Sequence, residues 1–148
     1  MFRYSTTLKL RDTDAAGVAF FAAYFAIAHD AYESFLISQG AHLRSWLGEV
    51  HLPIVHSNAD YTAPVKLGDA FDVEVSRVRI GQKSFTLSYH FVDRQRDVTL
   101  ARLETVHVAV KLSERGHESV SLPERVRSII NELVLNSDET SDAQRSPS

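Results

Sequence analysis

Four stretches after Pro53 have the composition of strands, and in residues 70–80 and 83–93 apolar and polar residues alternate, so we expect each strand to turn one face toward a core. Short segments containing Gly, Asp or Arg separate them. Strands joined by such short connections pair antiparallel, so this part of the chain predicts one antiparallel sheet. The stretches span residues 54–62, 70–80, 83–93 and 98–111.

The residues before this sheet predict a further strand and one long helix. Residues 4–11 alternate in the same way, and a turn over 12–17 ends that strand. Apolar residues then recur at helical spacing, which predicts a helix over 21–38 that stops near Gly40. Residues 41–51 around Trp46 fit either a second short helix or a loop.

The C-terminal region predicts a short helix and a tail. Pro123 opens an amphipathic helix with apolar residues on one stripe. Residues 136–148 are polar and predict a disordered tail, which leaves residues 1–135 as one domain. The fold class is therefore α+β, with a five-stranded sheet and one main helix. Because one helix cannot cover both sheet faces and the strands carry surplus apolar residues, we expect a second subunit to cover the remainder.

Composition excludes several classes of function. The 148-residue chain has a net charge of −3 and a pI near 6.1, which gives no support to nucleic-acid binding. The absence of cysteine excludes disulfides, thiolate metal sites and cysteine nucleophiles. No apolar run is long enough for a membrane span and no secretory leader is recognisable, so we expect a cytoplasmic protein.

Common catalytic motifs are also missing. The seven histidines include no pair at i, i+4 spacing, so we expect no metal centre. No serine stands in a G-x-S-x-G setting, and no glycine-rich run precedes a lysine followed by Ser or Thr. We expect no separate cofactor.

One stretch, LRDTDAAGVAFFAAYF at residues 10–25, places two acids before a small-residue turn and an apolar run. Spacing alone favours Asp12 or Asp14 as the cap of a turn or helix. The alternative is chemical: a helix that begins near Phe21 leaves N–H groups free to polarise a carbonyl. Asp14 would then act as nucleophile or as general base toward water.

Other polar residues have an ordinary structural interpretation. Glu33 follows His29 by four residues, and such an acid is usually a solvated partner on a helix surface. His56 and Asn58 stand on an otherwise apolar strand, where polar residues are more often hydrogen-bonded fillers than catalysts, with pocket lining as the alternative.

Residues 10–36 closely resemble the N-terminal motif of hotdog-fold acyl-CoA thioesterases of the 4-hydroxybenzoyl-CoA type. That motif contains an acid, any residue, Asp, small residues, Gly, a hydrophobic pair and a later Tyr. The strand order agrees with the family over about residues 3–134. The matching positions are Asp12, Asp14, Ala15, Ala16, Gly17, Val18, Phe21 and Tyr24.

The resemblance implies a role for several of these residues. Asp14 would be the catalytic carboxylate, the backbone N–H of Phe21 would polarise the thioester carbonyl, and Gly17 would permit the turn between them. Phe20 and Tyr24 would line the acyl pocket. The family commonly has His where this chain has Phe21, so any role of that imidazole is absent while the backbone donor is kept.

The resemblance also implies how coenzyme A, as part of the substrate, would be held. Basic residues at the start of a strand bind its phosphates in the family, and Lys83, followed by Ser84, matches one of them. Gly81 and Gln82 stand where arginines precede it in the family. Arg77 or Arg79 is the candidate substitute. His56 and Asn58 would contribute to substrate binding.

The implied architecture is a hotdog fold, in which the five-stranded sheet wraps around the long helix. The implied assembly is a homodimer or a dimer of dimers, with active sites at the subunit interface. The stretches HDAYESFL, LPIVHSNADYTAPVKLGD and ARLETVHVAVKL are most similar to the 1,4-dihydroxy-2-naphthoyl-CoA hydrolases of menaquinone and phylloquinone biosynthesis. The alternatives are a thioesterase for other aryl- or short-chain acyl-CoAs, a hydratase of the same fold, or a non-catalytic acyl-CoA-binding protein.

Overall fold

The structure is a computed structural model that describes residues 1–136, so the tail predicted at 136–148 lies, beyond its first residue, outside the described residues. No helix within the described chain has both the length and the apolar character needed to cross a membrane. The helices are α1 (Ala23–Ser38), α2 (Glu124–Asn131) and a short 3-10 helix (Leu10–Asp12). The strands are β1 (Phe2–Thr7), β2 (Val50–His51), β3 (Ile54–Tyr61), β4 (Ala70–Ile80), β5 (Ser84–Asp93), β6 (Val98–Val108), β7 (Val110–Ser113) and β8 (Gly116–Ser119).

Five of these strands form one antiparallel sheet in the order β1-β4-β5-β6-β3. The predicted strand over 70–80 is confirmed to the residue. Its alternation turns Phe71, Val73 and Val75 to one face, where none is more than 4% exposed. The strands β1 and β3 form the two edges of the sheet.

Helix α1 packs across the apolar face of this sheet. Its buried residues recur every three or four positions, as an amphipathic helix requires. Ala28 and Ala31 are almost fully buried, and their small side chains let the helix backbone approach the strands closely. The predicted α+β arrangement of a sheet around one helix is thereby confirmed. The buried helix residues are Tyr24, Ile27, Ala28, Ala31, Tyr32, Phe35 and Leu36.

The opposite face of the sheet is polar, which corrects the expectation of surplus apolar surface there. It carries Asp72 and Glu74 on β4, and Arg102 and Glu104 on β6. The apolar residues counted in the sequence point mainly toward α1, because side chains alternate along a strand. Among the exposed apolar side chains, Ile54 and Val55 lie on the edge strand β3, and Phe20 and Phe21 lie just before α1.

The predicted strand over 98–111 is two strands, which is a second correction. At Ala109 the backbone changes partners: its N–H donates to the Lys83 carbonyl and its carbonyl accepts from Val120. The chain then enters a three-stranded sheet in the order β2-β7-β8. Strands β2 and β8 are short and were not predicted.

The first strand and the helix also have different limits from those predicted. Strand β1 ends at Thr7 rather than 11, because the 3-10 helix follows and leaves Leu10 75% exposed. Helix α1 begins at Ala23, two residues later than predicted.

A chain of polar side chains is buried between α1 and the sheet. The Tyr89 hydroxyl lies 3.1 Å from Thr105 Oγ1, which lies 2.8 Å from His107 Nε2. His107 stacks on Phe85 with ring centroids 4.6 Å apart and is only 1% exposed. Burial, with a smaller contribution from His29, lowers the pKa of His107 from its ordinary value of 6.5 to about 4.

We predict that His107 makes the fold acid-sensitive. Between pH 6.5 and 4 this group is neutral in the folded chain and protonated in the unfolded chain, so stability falls as the pH is lowered through that window. The full loss from this group is on the order of 3 kcal/mol and is complete below about pH 4. Urea unfolding at pH 7 and pH 4.5 measures it.

His107→Phe keeps an aromatic ring against Phe85 and leaves Thr105 bonded to Tyr89, so it should be less pH-dependent than the wild type in this window. The matched control His117→Asn replaces an exposed imidazole on β8 and should behave as the wild type. Equal pH dependence in the wild type and His107→Phe would show that another group titrates.

Candidate active site

Asp14 sits in a tight turn between the 3-10 helix and α1. Its Oδ1 accepts a hydrogen bond from the Ala16 N–H at 2.8 Å, and its carbonyl accepts from the Gly17 N–H at 3.1 Å. Gly17 has a φ of +77°, a conformation that glycine adopts without steric cost. Asp14 therefore caps this turn and not α1, whose N-cap is Ala22 with no side-chain cap.

Asp12 has a different environment from Asp14. It is 9% exposed, its Oδ2 accepts from the Lys9 N–H at 3.2 Å, and its carbonyl accepts from the Phe20 N–H at 2.8 Å. The carboxylate and the carbonyl thus brace the segment on both sides of the turn. Asp14, in contrast, is exposed, and within residues 1–136 its second carboxylate oxygen has no protein partner.

In the described part of the chain, the two residues just before α1, Phe21 and Ala22, each have an N–H without an acceptor. The Phe21 carbonyl accepts a hydrogen bond from the Tyr61 hydroxyl at 2.8 Å. Phe21 is 62% exposed, so this amide is open to a ligand at the N-terminal end of a 16-residue helix.

A pocket of about 400 Å³ adjoins this amide. Its walls are mainly apolar and aromatic, and the rings of Tyr24 and Tyr61 meet edge to face with centroids 4.9 Å apart. Burial raises the pKa of both phenols, helped in Tyr24 by the neighbouring Tyr61, so both hydroxyls stay protonated at neutral pH. The lining residues are Val18, Ala19, Phe21, Tyr24, Tyr61, Thr62, Ala63 and Pro64.

This arrangement has the parts needed for attack on an activated carbonyl. A free N–H at a helix start stabilises developing negative charge on an oxygen. A carboxylate with one oxygen unoccupied can accept a proton or attack carbon. An apolar pocket beside them suits the hydrocarbon part of an acyl group.

The predicted site residues near α1 do not line one common pocket. Asp14 and Gly17 line neither of the two pockets that adjoin the start of α1, although the Asp14 N–H donates to the carbonyl of the lining residue Val18 at 2.9 Å. Phe21 and Tyr24 line the pocket described above. Phe20 borders a second one of about 410 Å³, which also includes Lys9, Arg11 and Asp12. The rings of Phe20 and Phe21 contact each other with centroids 4.7 Å apart.

The remaining predicted site residues lie far from this pocket within one chain. His56 and Asn58 pair with Val106 and Glu104, so they project from the sheet face opposite α1. Ser84 pairs with Val108 and Tyr61 with Ala101, a separation of seven residues along β6, or about 23 Å. Lys83 precedes Ser84 at that far end.

Of the two arginines considered for phosphate binding, Arg77 already has a protein partner. Its Nε donates to the Leu133 carbonyl at 2.9 Å, which holds the segment after α2 against β4. Arg79 and Lys83 are exposed.

Sequence reasoning missed Tyr61. The available signal is an aromatic residue with a hydroxyl at the second-to-last position of the strand predicted over 54–62, three residues before Pro64. Such a residue lies at the sheet end, where strands and helix starts meet.

The chain is similar to a known protein family and to named proteins. Residues 8–130 match the family model described as the thioesterase-like superfamily. A 1,4-dihydroxy-2-naphthoyl-CoA hydrolase of Synechococcus elongatus is 33% identical over 129 residues, covering 85% of this chain and 92% of the relative. One from a Picosynechococcus species is 38% identical over 128 residues, covering 82% and 86%.

A solved structure gives the same likeness in three dimensions. The 1,4-dihydroxy-2-naphthoyl-CoA thioesterase of Synechocystis superposes with a TM-score of 0.81 at 33% identity. The match covers 89% of this chain and 96% of that one.

We predict that Gly17→Ala destabilises the protein by about 1–2 kcal/mol, because an L-residue is strained at a φ of +77°. No atom lies within 4 Å of the added Cβ, so the loss comes from the backbone alone. Chemical denaturation of the purified variant measures it.

Gly81→Ala is the matched control. An added Cβ there meets Ser84 atoms at ordinary contact distances of 3.6 and 3.7 Å, and the backbone is not left-handed. Its stability should stay within about 1 kcal/mol of the wild type. Equal losses in both variants would mean that the conformation of Gly17 is not the cause.

Proposed function

The chain belongs to the thioesterase-like superfamily, and from this premise we propose that it is an acyl-CoA thioesterase that hydrolyses 1,4-dihydroxy-2-naphthoyl-CoA. The products would be the free acid and coenzyme A, as in the formation of menaquinone or phylloquinone. The named relatives at 33% and 38% identity support this substrate. The observation that carries the proposal is the free Phe21 amide at the rim of an aromatic-lined pocket.

The proposed reaction uses the two groups on either side of the turn. The Phe21 N–H binds the thioester oxygen and stabilises the negative charge that develops on it. Asp14 either attacks the carbonyl carbon or removes a proton from the water that attacks it. The carbon–sulfur bond then breaks and coenzyme A leaves as a thiolate. Where Asp14 is the nucleophile, water then hydrolyses the mixed anhydride between the acyl group and Asp14, which releases the free acid and restores the carboxylate. Coenzyme A enters as part of the substrate, and the proposal requires no other cofactor.

The pocket suits a flat aromatic acyl group. Phe21, Tyr24 and Tyr61 provide rings that can pack on a bicyclic ring system. The edge-to-face contact of Tyr24 with Tyr61 fixes one wall of the pocket. We therefore expect the enzyme to prefer an aryl thioester over a short aliphatic one.

We further propose that two chains pair through β3 into one continuous sheet. β3 is an edge strand, and seven of its eight residues are exposed, including the apolar Ile54 and Val55. An open apolar edge favours pairing with another strand. A two-fold axis makes the two β3 strands antiparallel, which brings the far sheet end of one chain to the pocket end of the other.

Such pairing would explain why the predicted binding residues are scattered within one chain. Lys83 and Ser84 lie at the sheet end remote from the pocket. In the dimer, Lys83 and Ser84 of the second subunit would lie at the pocket end of the first. They would then be close to the phosphates of coenzyme A, which extend away from the acyl group in the pocket.

We predict that Asp14→Asn lowers kcat for 1,4-dihydroxy-2-naphthoyl-CoA by about 10²–10⁴-fold, because the amide keeps the size of the side chain but cannot act as base or nucleophile. Steady-state assay of thiol release measures kcat and KM. A panel with 4-hydroxybenzoyl-CoA and acetyl-CoA, compared by kcat/KM, tests the substrate class.

Asp93→Asn is the matched control, because Asp93 Oδ1 accepts from the Gln95 N–H at 3.0 Å in the same local geometry as Asp14 with Ala16. This variant should keep full activity. If Asp14→Asn is as active as Asp93→Asn, Asp14 is only a turn cap. A higher kcat/KM for acetyl-CoA than for the naphthoyl substrate would refute the substrate class.

We predict that Val55→Lys raises the dimer dissociation constant by at least about tenfold, since a charge on an exposed edge strand disfavours pairing. Analytical ultracentrifugation over a concentration series measures this. Leu112→Lys is the control: Leu112 is 64% exposed, as Val55 is 59% exposed, but it lies on the small sheet. Identical sedimentation of both variants would place the interface elsewhere.

A further inference from the structure

We infer that Tyr61 is a positioning residue that holds the Phe21 amide in the orientation needed to receive a thioester oxygen. The inference rests on the proposed function and goes beyond it, because it assigns a task to a side chain outside the motif that contains Asp14 and Phe21. The observation is the hydrogen bond of 2.8 Å from the Tyr61 hydroxyl to the Phe21 carbonyl. This bond joins the edge of the sheet to the residue that carries the free amide.

The helix itself does not hold the Phe21 carbonyl. In a regular α-helix that carbonyl would accept the N–H of Phe25, four residues later. Here the Phe25 N–H donates to the Ala22 carbonyl at 3.2 Å, and the helix begins at Ala23. The hydroxyl of Tyr61 therefore takes the place of a helix donor and keeps Phe21 outside the helix.

Loss of this bond gives the Phe21 carbonyl another available partner. The Phe25 N–H could turn to it and extend the helix by one residue toward its N-terminus. Such an extension rotates the backbone around Phe21 and moves the amide that the reaction needs. Catalytic hydrogen bonds tolerate little displacement, and a shift of about 1 Å can cost up to about 100-fold in rate.

Tyr61 is itself well placed to act as a fixed support. The residues that follow it are anchored to β6: the N–H groups of Thr62 and Ala63 both donate to the Leu100 carbonyl, at 3.0 and 3.1 Å. The Thr62 hydroxyl donates to the Thr99 carbonyl at 2.8 Å. The ring of Tyr61 also packs edge to face on Tyr24 of α1. The end of β3 and the ring and hydroxyl of Tyr61 are thus held together as one rigid unit.

The test is Tyr61→Phe, which removes the hydroxyl and keeps the ring in the pocket wall. We expect kcat to fall about tenfold, less than the loss of an entire oxyanion donor, while KM stays within about twofold. The same fall should occur with the naphthoyl-CoA and hydroxybenzoyl-CoA thioesters, because the amide acts on the carbonyl common to both. Thermal unfolding should change by no more than a few degrees, since Tyr61 is 44% exposed.

Tyr4→Phe is the matched control, because Tyr4 is half-buried on β1, away from the pocket lining. It should leave kcat and KM unchanged. An unchanged kcat in Tyr61→Phe overturns the inference. So does a change confined to KM or to one of the two thioesters, which would make Tyr61 a substrate contact instead.

Asp14→Asn, assayed in parallel, separates this inference from the proposed function. If Asp14→Asn is inactive and Tyr61→Phe is fully active, only the role of Tyr61 fails. If Asp14→Asn retains full activity, the proposed function fails. If Tyr61→Phe is unstable, the dissociation constant of a non-hydrolysable aryl-CoA thioether is measured for the variant and the wild type at a temperature at which both are folded. A dissociation constant more than about twofold higher in the variant overturns the positioning role.

Discussion

The packing of α1 on the sheet determines where every other part of the molecule lies. Ala31 on the helix and Val73 and Val75 on the sheet are completely buried, so the two layers touch without intervening solvent. A helix of 16 residues is about 24 Å long, and β4, β5 and β6, with 10 or 11 residues each, are about 33–36 Å long. Helix α1 therefore spans much of the sheet: Tyr24 near its start contacts Phe91, and Tyr32 contacts His107 toward the other end of the sheet.

The end at which α1 starts is fixed by aromatic contacts. Tyr24, in the first turn, contacts Phe91 with ring centroids 5.4 Å apart and Tyr61 with centroids 4.9 Å apart. Phe91 and Tyr61 both pair with Ala101, one on each side of β6. The methyl group of Ala101 leaves room between the larger rings, so the ring of Tyr24 spans three strands. The free helix-start amide, the turn of Asp14 and the pocket are brought to that one place by core packing.

Local patterns in the sequence were enough to predict this core and most of its elements. Alternation in β4 and helical spacing in α1 indicate directly which face of each element is buried, and both predictions are confirmed. The break at Ala109 was not predicted, because it arises from hydrogen bonds to Lys83 and Val120, which are distant in the sequence. The polar outer face was misjudged for a related reason: a count of apolar residues does not say to which side they point.

The candidate site was predictable only where it is local. The turn with Asp14 and Gly17 is a continuous motif, and its geometry follows from the carboxylate, the small residues and the positive φ of one glycine. The contact between Tyr61 and Phe21 spans 40 residues and has no signature in either segment. It exists because the edge strand and the helix start converge at the same end of the sheet. Because the two residues are far apart in the sequence, neither segment predicts the hydrogen bond that holds the Phe21 amide in place.

The position of the site at an open sheet edge links the proposed catalysis to the proposed assembly. A hydrogen-bond donor stabilises an oxyanion strongly only where water is excluded, since water screens charge and competes for the donor. In one chain Phe21 is 62% exposed and Tyr61, on the edge strand, is 44% exposed. The acyl group can cover one side of the amide, but the side along the edge of β3 needs a second polypeptide. On this argument the second subunit that we propose at β3 would do more than enlarge the sheet, because it would supply the dry surroundings in which one backbone N–H has a large effect.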